Sequence, residues 1–419
     1  MIEFIRIFML NLLVKLTALL LGLFSIIFII ENGAADSLES FEQYQYLLIV
    51  CSLIVLIEHT IYFMRYRKYI MIPYSLSFYN RANNEQKTSK IYLDKFLRFD
   101  KKTQTIYFKN RLAIDTKAYI DSKAKIIHLL GYEDDKEVEI EIKAHNKKEV
   151  AIQIFRLPKS FNWHIHLFKD QHIYLGESKD GSYFVPMKDL TSKIICGESG
   201  SGKSNFLNLY IFSLLHNSQY LDKLYFVDLK GVELSRYKLK NCEFVDSLEE
   251  TAKLVSDLKQ IMLSRYDEMK EQGDLTYRGK FKICLIDEVA TIETSMNKAL
   301  KQQMTNDLIE IAQKGRAARV IIIISSQKID STNLNGNILT NLQASSTFRS
   351  SSQFNINNTV GLQEEVEEIT RTRVQDFNKG RFIYCDGLDK SKKVLLQAPF
   401  LSQKVQADMI RYFRQWINI

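Results

Sequence analysis

Residues 193–204 constrain this chain more than any other stretch. They read Lys193-Ile194-Ile195-Cys196, then Gly197-Glu198-Ser199-Gly200-Ser201-Gly202-Lys203-Ser204, and an amphipathic segment from Asn205 to Leu215 follows. This is a short apolar strand, a glycine-rich turn with the spacing GxxxxGKS and a helix. The glycines let backbone N–H groups wrap phosphate oxygens, and the helix N-terminus adds its dipole. In such a cradle Lys203 reaches the β- and γ-phosphates of a nucleoside triphosphate, and the Ser204 hydroxyl ligates Mg²⁺.

A triphosphatase also needs a carboxylate at the end of a neighbouring strand. Phe281–Ile286 is an apolar run that ends in Asp287-Glu288. Asp287 suits the Mg²⁺ shell, and Glu288 suits the orientation or deprotonation of an attacking water, which favours hydrolysis over mere binding. Two more apolar runs end in polar residues: Leu224–Val227 leads into Asp228-Leu-Lys-Gly-Val-Glu-Leu234, and Arg319–Ser325 leads into Ser326-Gln327. Gln327 reads either as a γ-phosphate sensor or as an ordinary strand-end turn. Apolar strands alternating with helices imply an α/β fold, a RecA-like motor with a mainly parallel sheet covered on both faces. No NKxD-like guanine signature occurs, so ATP is the expected nucleotide. No LSGGQ-like sequence lies between Ser204 and Asp287, which sets an ABC transporter aside.

The N-terminal part obeys different rules. Residues 8–30 and 46–64 are two apolar runs, each long enough to cross about 30 Å of hydrocarbon. The connection between them carries Glu31, Asp36, Glu39 and Glu42 and no Lys or Arg, whereas Arg65, Arg67 and Lys68 follow the second run. Both termini are therefore expected in the cytoplasm, with a short acidic hairpin outside. A cleavable signal ending near Gly33-Ala34-Ala35 is the competing reading. The net charge of +8 is concentrated: 15 Lys/Arg against 5 Asp/Glu fall between Arg65 and Lys125. Such a zone suits anionic lipid headgroups, a nucleic-acid backbone or plain solvent.

A length of 419 residues allows two or three domains. The expected division is a membrane anchor over 1–68, a basic α+β adaptor over 69–169 and the motor over 170–419. In the adaptor, Lys136–Lys143 and Glu149–Phe155 alternate polar and apolar residues as half-buried strands do, with Gly131 and Asp134-Asp135 as turn punctuation. His164 and His166 flank Ile165 on a strand-like face, with no third ligand suitably spaced for a metal. Five Cys without a CxxC pair read as reduced and structural, Cys196, Cys284 and Cys385 inside apolar strands.

Beyond the nucleotide loop, five ordered blocks between about Leu175 and Ile410 resemble the FtsK/SpoIIIE-type DNA translocases of the FtsK/HerA group. LGESKDGSYFVPMKDLTSKIICGESGSGKS resembles that family's approach to its nucleotide loop. VDLKGVEL resembles its IDPKxxEL signature, and LKQIMLSRYDEM resembles an EMxxRY-like helix. IAQKGRAARVIIIISSQ is similar to its AQKxRAxGIHLxxATQ block, and GRFIYCDG with VLLQAPFLS resembles its closing strands. Departures are Leu229 for Pro, Arg319 for the Gly of RAxG, and Lys328-Ile329 for the Arg-Pro after the glutamine.

The resemblance implies a homo-oligomer, a hexameric ring with ATP and Mg²⁺ between subunits and DNA in the pore. Arg316, at the RAxG position, and Arg349 are then candidates to reach a neighbour's phosphate, or else to pair with a local acid or the DNA backbone. The chain ends about twenty residues after the PFLS strand, which is expected to leave no room for the family's winged-helix reader of orientation sequences. DNA contact is therefore expected to be largely sequence-independent. The layout points to a coupling protein of conjugative plasmids or integrative elements, with a relaxase and mating-channel proteins as partners. A chromosome segregation or division translocase, a type VII-like protein-export ATPase and a non-catalytic ATP switch are the alternatives.

Overall fold

The computed structural model describes residues 9, 12–13, 15–17, 19–20, 38–80, 92–110, 115–135, 138–146, 148–231, 233–288, 298–327, 336–370, 372–389 and 391–417. The chain divides into two units, Met1–Phe155 and Arg156–Ile419. The break falls ahead of the 169/170 division expected above. Residues 156–169 belong to the second unit because they are stitched to its far end. Arg381 Nη2 donates to Pro158 O at 3.0 Å, and Trp163 N donates to Phe400 O at 3.2 Å.

In the first unit, helix α1 (Leu38–Ile70) covers the expected span 46–64. The segment Ile49–Ser75 is the one stretch among the described residues that is long and apolar enough to cross a membrane. Ile49, Val50, Leu53, Ile54, Ile57, Ile61 and Met64 are exposed along it. The expected span 8–30 lies largely outside the described residues, so a pair of spans is not seen. The C-terminal turns of α1 enter the core of a small α+β layer, where Tyr66 and Tyr69 stack near Phe96, with ring centroids 5.2 and 5.8 Å apart.

That layer has strands β1 (Lys95–Asp100), β2 (Thr105–Lys109), β3 (Val138–Asn146) and β4 (Glu149–Arg156), in the spatial order β1-β2-β4-β3. Helices α2 (Thr116–Asp121) and α3 (Lys123–Leu130) cover it, and α3 stops at Gly131, whose φ of 78° suits a left-handed cap. The alternation read from the sequence is visible in β4, where Val150, Ile152 and Ile154 are buried and the residues between them are not.

The second unit is built on a ten-stranded sheet. Its strands are β5 (His172–Ser178), β6 (Gly181–Pro186), β7 (Lys193–Cys196), β8 (Leu221–Asp228), β9 (Cys242–Val245), β10 (Phe281–Asp287), β11 (Val320–Ser326), β12 (Ala344–Phe348), β13 (Arg381–Cys385) and β14 (Lys393–Gln397), in the order β9-β8-β10-β11-β7-β12-β13-β14-β5-β6. The first six in that order are mutually parallel. From β12 onward every pairing is antiparallel. The sheet is thus mixed rather than mainly parallel: β13–β14 and β5–β6 are short hairpins, which need no crossover helix, and β14 pairs with β5 from the start of the unit. His164 and His166 do not share a strand; they flank and enter a single 3₁₀ turn, Ile165–Leu167.

Helices α4 (Lys203–His216), α5 (Leu248–Gln272), α6 (Lys298–Lys314) and α10 (Gln403–Ile417) cover the sheet, with shorter helices α7 (Gly336–Asn341), α8 (Gln353–Thr359) and α9 (Gln363–Thr370) on its later connections. Period-two side-chain direction splits each central strand between two cores. Ile195, Ile283, Leu285, Ile321 and Ile323 pack with α4 and α10. Ile194, Cys196, Cys284, Ile286, Ile322 and Ile324 pack with α5 and α6. The cysteines are free, and burial pushes the Cys284 thiol up to about 12, as expected of a small core hydrophobe.

Candidate active site

The parallel register carries the chemistry. Asp228 is level with Asp287, Asp287 with Ser325, and Ser326 with Cys196, the last residue before the glycine-rich turn. Four strands that are far apart in sequence therefore end in one row at the carboxyl edge, where open α/β sheets hold ligands.

The turn itself has little freedom. Gly202 sits at φ 104°, and a Cβ there would lie 2.7 Å from Gly380 N. Gly380 N in turn donates to Ser201 O at 2.8 Å. Behind this contact, buried Gln397 donates to Lys379 O at 3.1 Å and accepts from Arg381 Nε at 3.2 Å. Glu198 accepts from Ser351 N and Ser351 Oγ, both at 2.5 Å. Those two bonds, aided by the Arg349 guanidinium, hold its carboxyl below the usual range. Ser199 and Gly200 are exposed at the tip.

Lys203 is 7% exposed. Its Nζ donates to Ser325 Oγ at 3.0 Å and lies 3.8 Å from Asp287 Oδ1. Glu288 follows β10 with φ 53°, a left-handed conformation uncommon for a side chain of this size. Its N donates to Ser325 O, and its carboxylate lies 4.0 Å from Lys230 Nζ. Gln327 stands half-buried just after β11, on the same edge.

Sequence reasoning treated Arg316 and Arg349 alike, and the fold separates them. Arg349 follows β12 on the nucleotide edge, with Nη2 4.0 Å from where a Gly200 Cβ would sit. Arg316 precedes β11, on the opposite edge. There it is exposed and lines a cavity of about 540 Å³ with Lys188, Lys314 and Arg319. Arg319 adopts φ 54° where the resembled family has glycine; its Nη1 donates to Gly279 O at 2.6 Å.

Sequence reasoning missed Ser325, Lys230 and Glu233 as site members. Ser204 Oγ donates to Glu233 Oε1 at 3.1 Å. The VDLKGVEL block was the available signal, since it places an acid five residues after the strand-end Asp228. The donor set is all oxygen, which suits a hard cation. No cluster of three His, Cys, Asp or Glu side chains that could hold a metal occurs among the described residues. Ser204 and Asp287 would supply two of the oxygens around such a cation, with phosphate oxygens and waters supplying the rest.

Known proteins resemble parts of this chain. Residues 175–283 match the FtsK/SpoIIIE family. The DNA translocase FtsK of Staphylococcus aureus (strain Mu50) is 24% identical over 251 residues, 54% of this chain and 30% of that protein. The Campylobacter jejuni protein of the same name is 28% identical over 197 residues, 42% of this chain and 20% of the relative. The chain thus spans less than a third of these curated relatives. Among solved structures, the pCW3 conjugation coupling protein TcpA, in its monomer form with ATPγS, superimposes with a TM-score of 0.53 at 20% identity. That likeness covers 83% of this chain and 99% of the other, and it establishes the shared fold. The nucleotide loop and the start of the strand that leads to the acid pair thus lie within the stretch that matches the FtsK/SpoIIIE family.

Proposed function

We propose that this chain is a membrane-anchored, ATP-hydrolysing DNA translocase, and within that class a coupling protein that moves plasmid or integrative-element DNA in conjugation. The observation that carries the reading is the row of strand ends that sets Lys203, Ser204, Asp287 and Glu288 around one glycine-rich turn. The turn's amides and Lys203 bind the phosphates of ATP, and Ser204 and Asp287 hold Mg²⁺. When bound, Mg²⁺ neutralises charge on the phosphate oxygens. Glu288 aligns the attacking water and accepts its proton, and Gln327 senses the terminal phosphate.

Arg316 faces away from its own nucleotide loop, which supports a role at the loop of a neighbouring subunit in a ring, most simply a hexamer. Arg349, beside Gly200 and Glu198, serves its own loop. DNA is held mainly through its phosphates and so largely without sequence preference. The segment Ile49–Ser75 supports membrane anchoring, and residues 8–30 as a second span would leave both termini in the cytoplasm. The fold likeness to a conjugation coupling protein supports conjugation over chromosome segregation. A relaxase and mating-channel proteins are the partners this role requires.

The test is ATP hydrolysis by the purified full chain with duplex DNA, single-stranded DNA or a secreted polypeptide. Stimulation by either DNA form is expected. Stimulation by polypeptide alone would replace this reading with protein export, as in type VII systems.

A further inference from the structure

We propose that Glu233 is a positioning residue for Ser204. It takes the hydroxyl's hydrogen and so turns the oxygen's lone pairs toward the divalent cation that accompanies the nucleotide. The inference rests on the reading of this loop as a Mg²⁺–nucleotide site.

A serine hydroxyl has one hydrogen and two lone pairs, and it can offer a lone pair to a cation only when the hydrogen points elsewhere. An ionised carboxylate only accepts, so the 3.1 Å contact from Ser204 Oγ to Glu233 Oε1 has one sense. Glu233 does not reach this place on a loose loop. Asp228, 2% exposed at the end of β8, accepts from Lys230 N and Gly231 N through Oδ1 at 3.0 and 3.1 Å. Its Oδ2 accepts from Glu233 N and Leu234 N at 2.9 and 3.0 Å. All of its acceptor capacity goes into shaping the turn that carries Glu233.

The helix side is fastened as well. Asn208 Nδ2 donates to Ser204 O at 2.7 Å, while Asn208 Oδ1 accepts from Arg236 Nη2 at 2.7 Å and from the Tyr237 hydroxyl. Both the side chain and the carbonyl of Ser204 are thus tied to residues 228–237. The same turn reaches the hydrolytic side, since Lys230 Nζ is 4.0 Å from Glu288. Partners of this kind behind a metal ligand typically change metal affinity by about 10–100-fold.

The experiment titrates Mg²⁺ against binding of a fluorescent ATP analogue by the full chain in detergent. It compares wild type, Glu233→Ala and the isosteric Glu233→Gln, and repeats each with EDTA. Glu233→Ala is expected to need about tenfold more Mg²⁺ for half-maximal binding, with metal-free affinity within twofold of wild type. Glu233→Gln keeps an acceptor oxygen and is expected to recover most of the loss; its folding is checked by circular dichroism. An unchanged Mg²⁺ requirement in Glu233→Ala would overturn the proposal, as would an equal loss of metal-free binding, which marks a purely structural role. A wild-type chain that binds no nucleotide at all would overturn the functional reading itself.

Discussion

The two ends of the six parallel strands carry opposite chemistry. At the carboxyl ends stand Asp228, Asp287 and Glu288, with Glu233 on the turn after β8 and the buried Lys203 3.8 Å from Asp287. At the amino ends of the same sheet lie Lys188, Lys314, Arg316 and Arg319. Arg265 is also there, buried, with Nη1 on Ala318 O and its guanidinium 4.3 Å from the Tyr277 ring centre. Strand direction alone sorts them: every βα turn opens at the carboxyl edge, where amides and helix N-termini face a phosphate ligand. The other edge is free to present cations to something outside the subunit. One sheet thus presents a glycine-rich turn with paired acids at one edge and a cluster of cations at the other.

Substitutions at the acidic edge break the comparison most sharply. Glu288→Gln is expected to lower turnover by about 10²–10⁴-fold while ATP binding is retained, read as hydrolysis rate against filter-bound nucleotide. Loss of binding to the same extent would remove Glu288 from the chemistry. On the cationic edge, Arg316→Ala is expected to cost about 10³-fold in turnover with monomer binding unchanged. Mixing it with Lys203→Ala subunits should restore partial activity, because each supplies what the other lacks. If the mixture stays inactive, Arg316 does not act across a subunit boundary.

Between the two edges lies Lys193, in the strand that leads to the nucleotide loop. It is 3% exposed, with Nζ 4.7 Å from the Tyr210 ring centre and 5.0 Å from that of Tyr384. Burial pulls its pKa down to about 7, against a smaller upward pull from Asp386. The unfolded lysine keeps its proton to near 10.5, so the unfolded state binds more protons in between, and stability rises with pH from about 7 to about 10.5. Lys193→Met is expected to raise Tm by roughly 5 °C at pH 7 and by little at pH 10. An identical Tm difference at both pH values would mean that Lys193 keeps its proton in the fold.

The smallest effect concerns Arg319→Gly. Glycine relieves the left-handed backbone, worth about 1 kcal/mol. It also removes the guanidinium's bond to Gly279 O and its packing 5.0 Å from the Phe281 ring centre. The two are expected to cancel within about 0.5 kcal/mol, read as a Tm change of no more than about 2 °C. A larger shift in either direction would show which of the two dominates.

The nucleotide loop and the acid pair were legible in the sequence because each is a contiguous motif, with an apolar strand fixing where it ends. The central strands were legible for the same reason. What was not legible depends on pairing across long separations. Nothing local in His172–Ser178 says that it joins Lys393–Gln397, so the antiparallel half of the sheet went unread. Nothing local in residues 156–169 says that Pro158 and Trp163 are held from Arg381 and Phe400. Arg316 and Arg349 looked equivalent along the chain, although strand polarity puts them on opposite edges. Glu233 was visible as a letter in a signature, but its partner Ser204 lies 29 residues away across the sheet edge. Lys193 read as the first residue of an apolar strand, and only the positions of Tyr210 and Tyr384 show that its ammonium is inside.

The most direct measurement of the central claim is streptavidin displacement from end-biotinylated DNA, offered as duplex and as single strand, by the full chain in detergent with Mg²⁺ and ATP. Displacement from at least one form that requires ATP and disappears in Glu288→Gln is the expected result. ATP hydrolysis by wild type with neither form displaced, or displacement that persists in Glu288→Gln, would contradict the account.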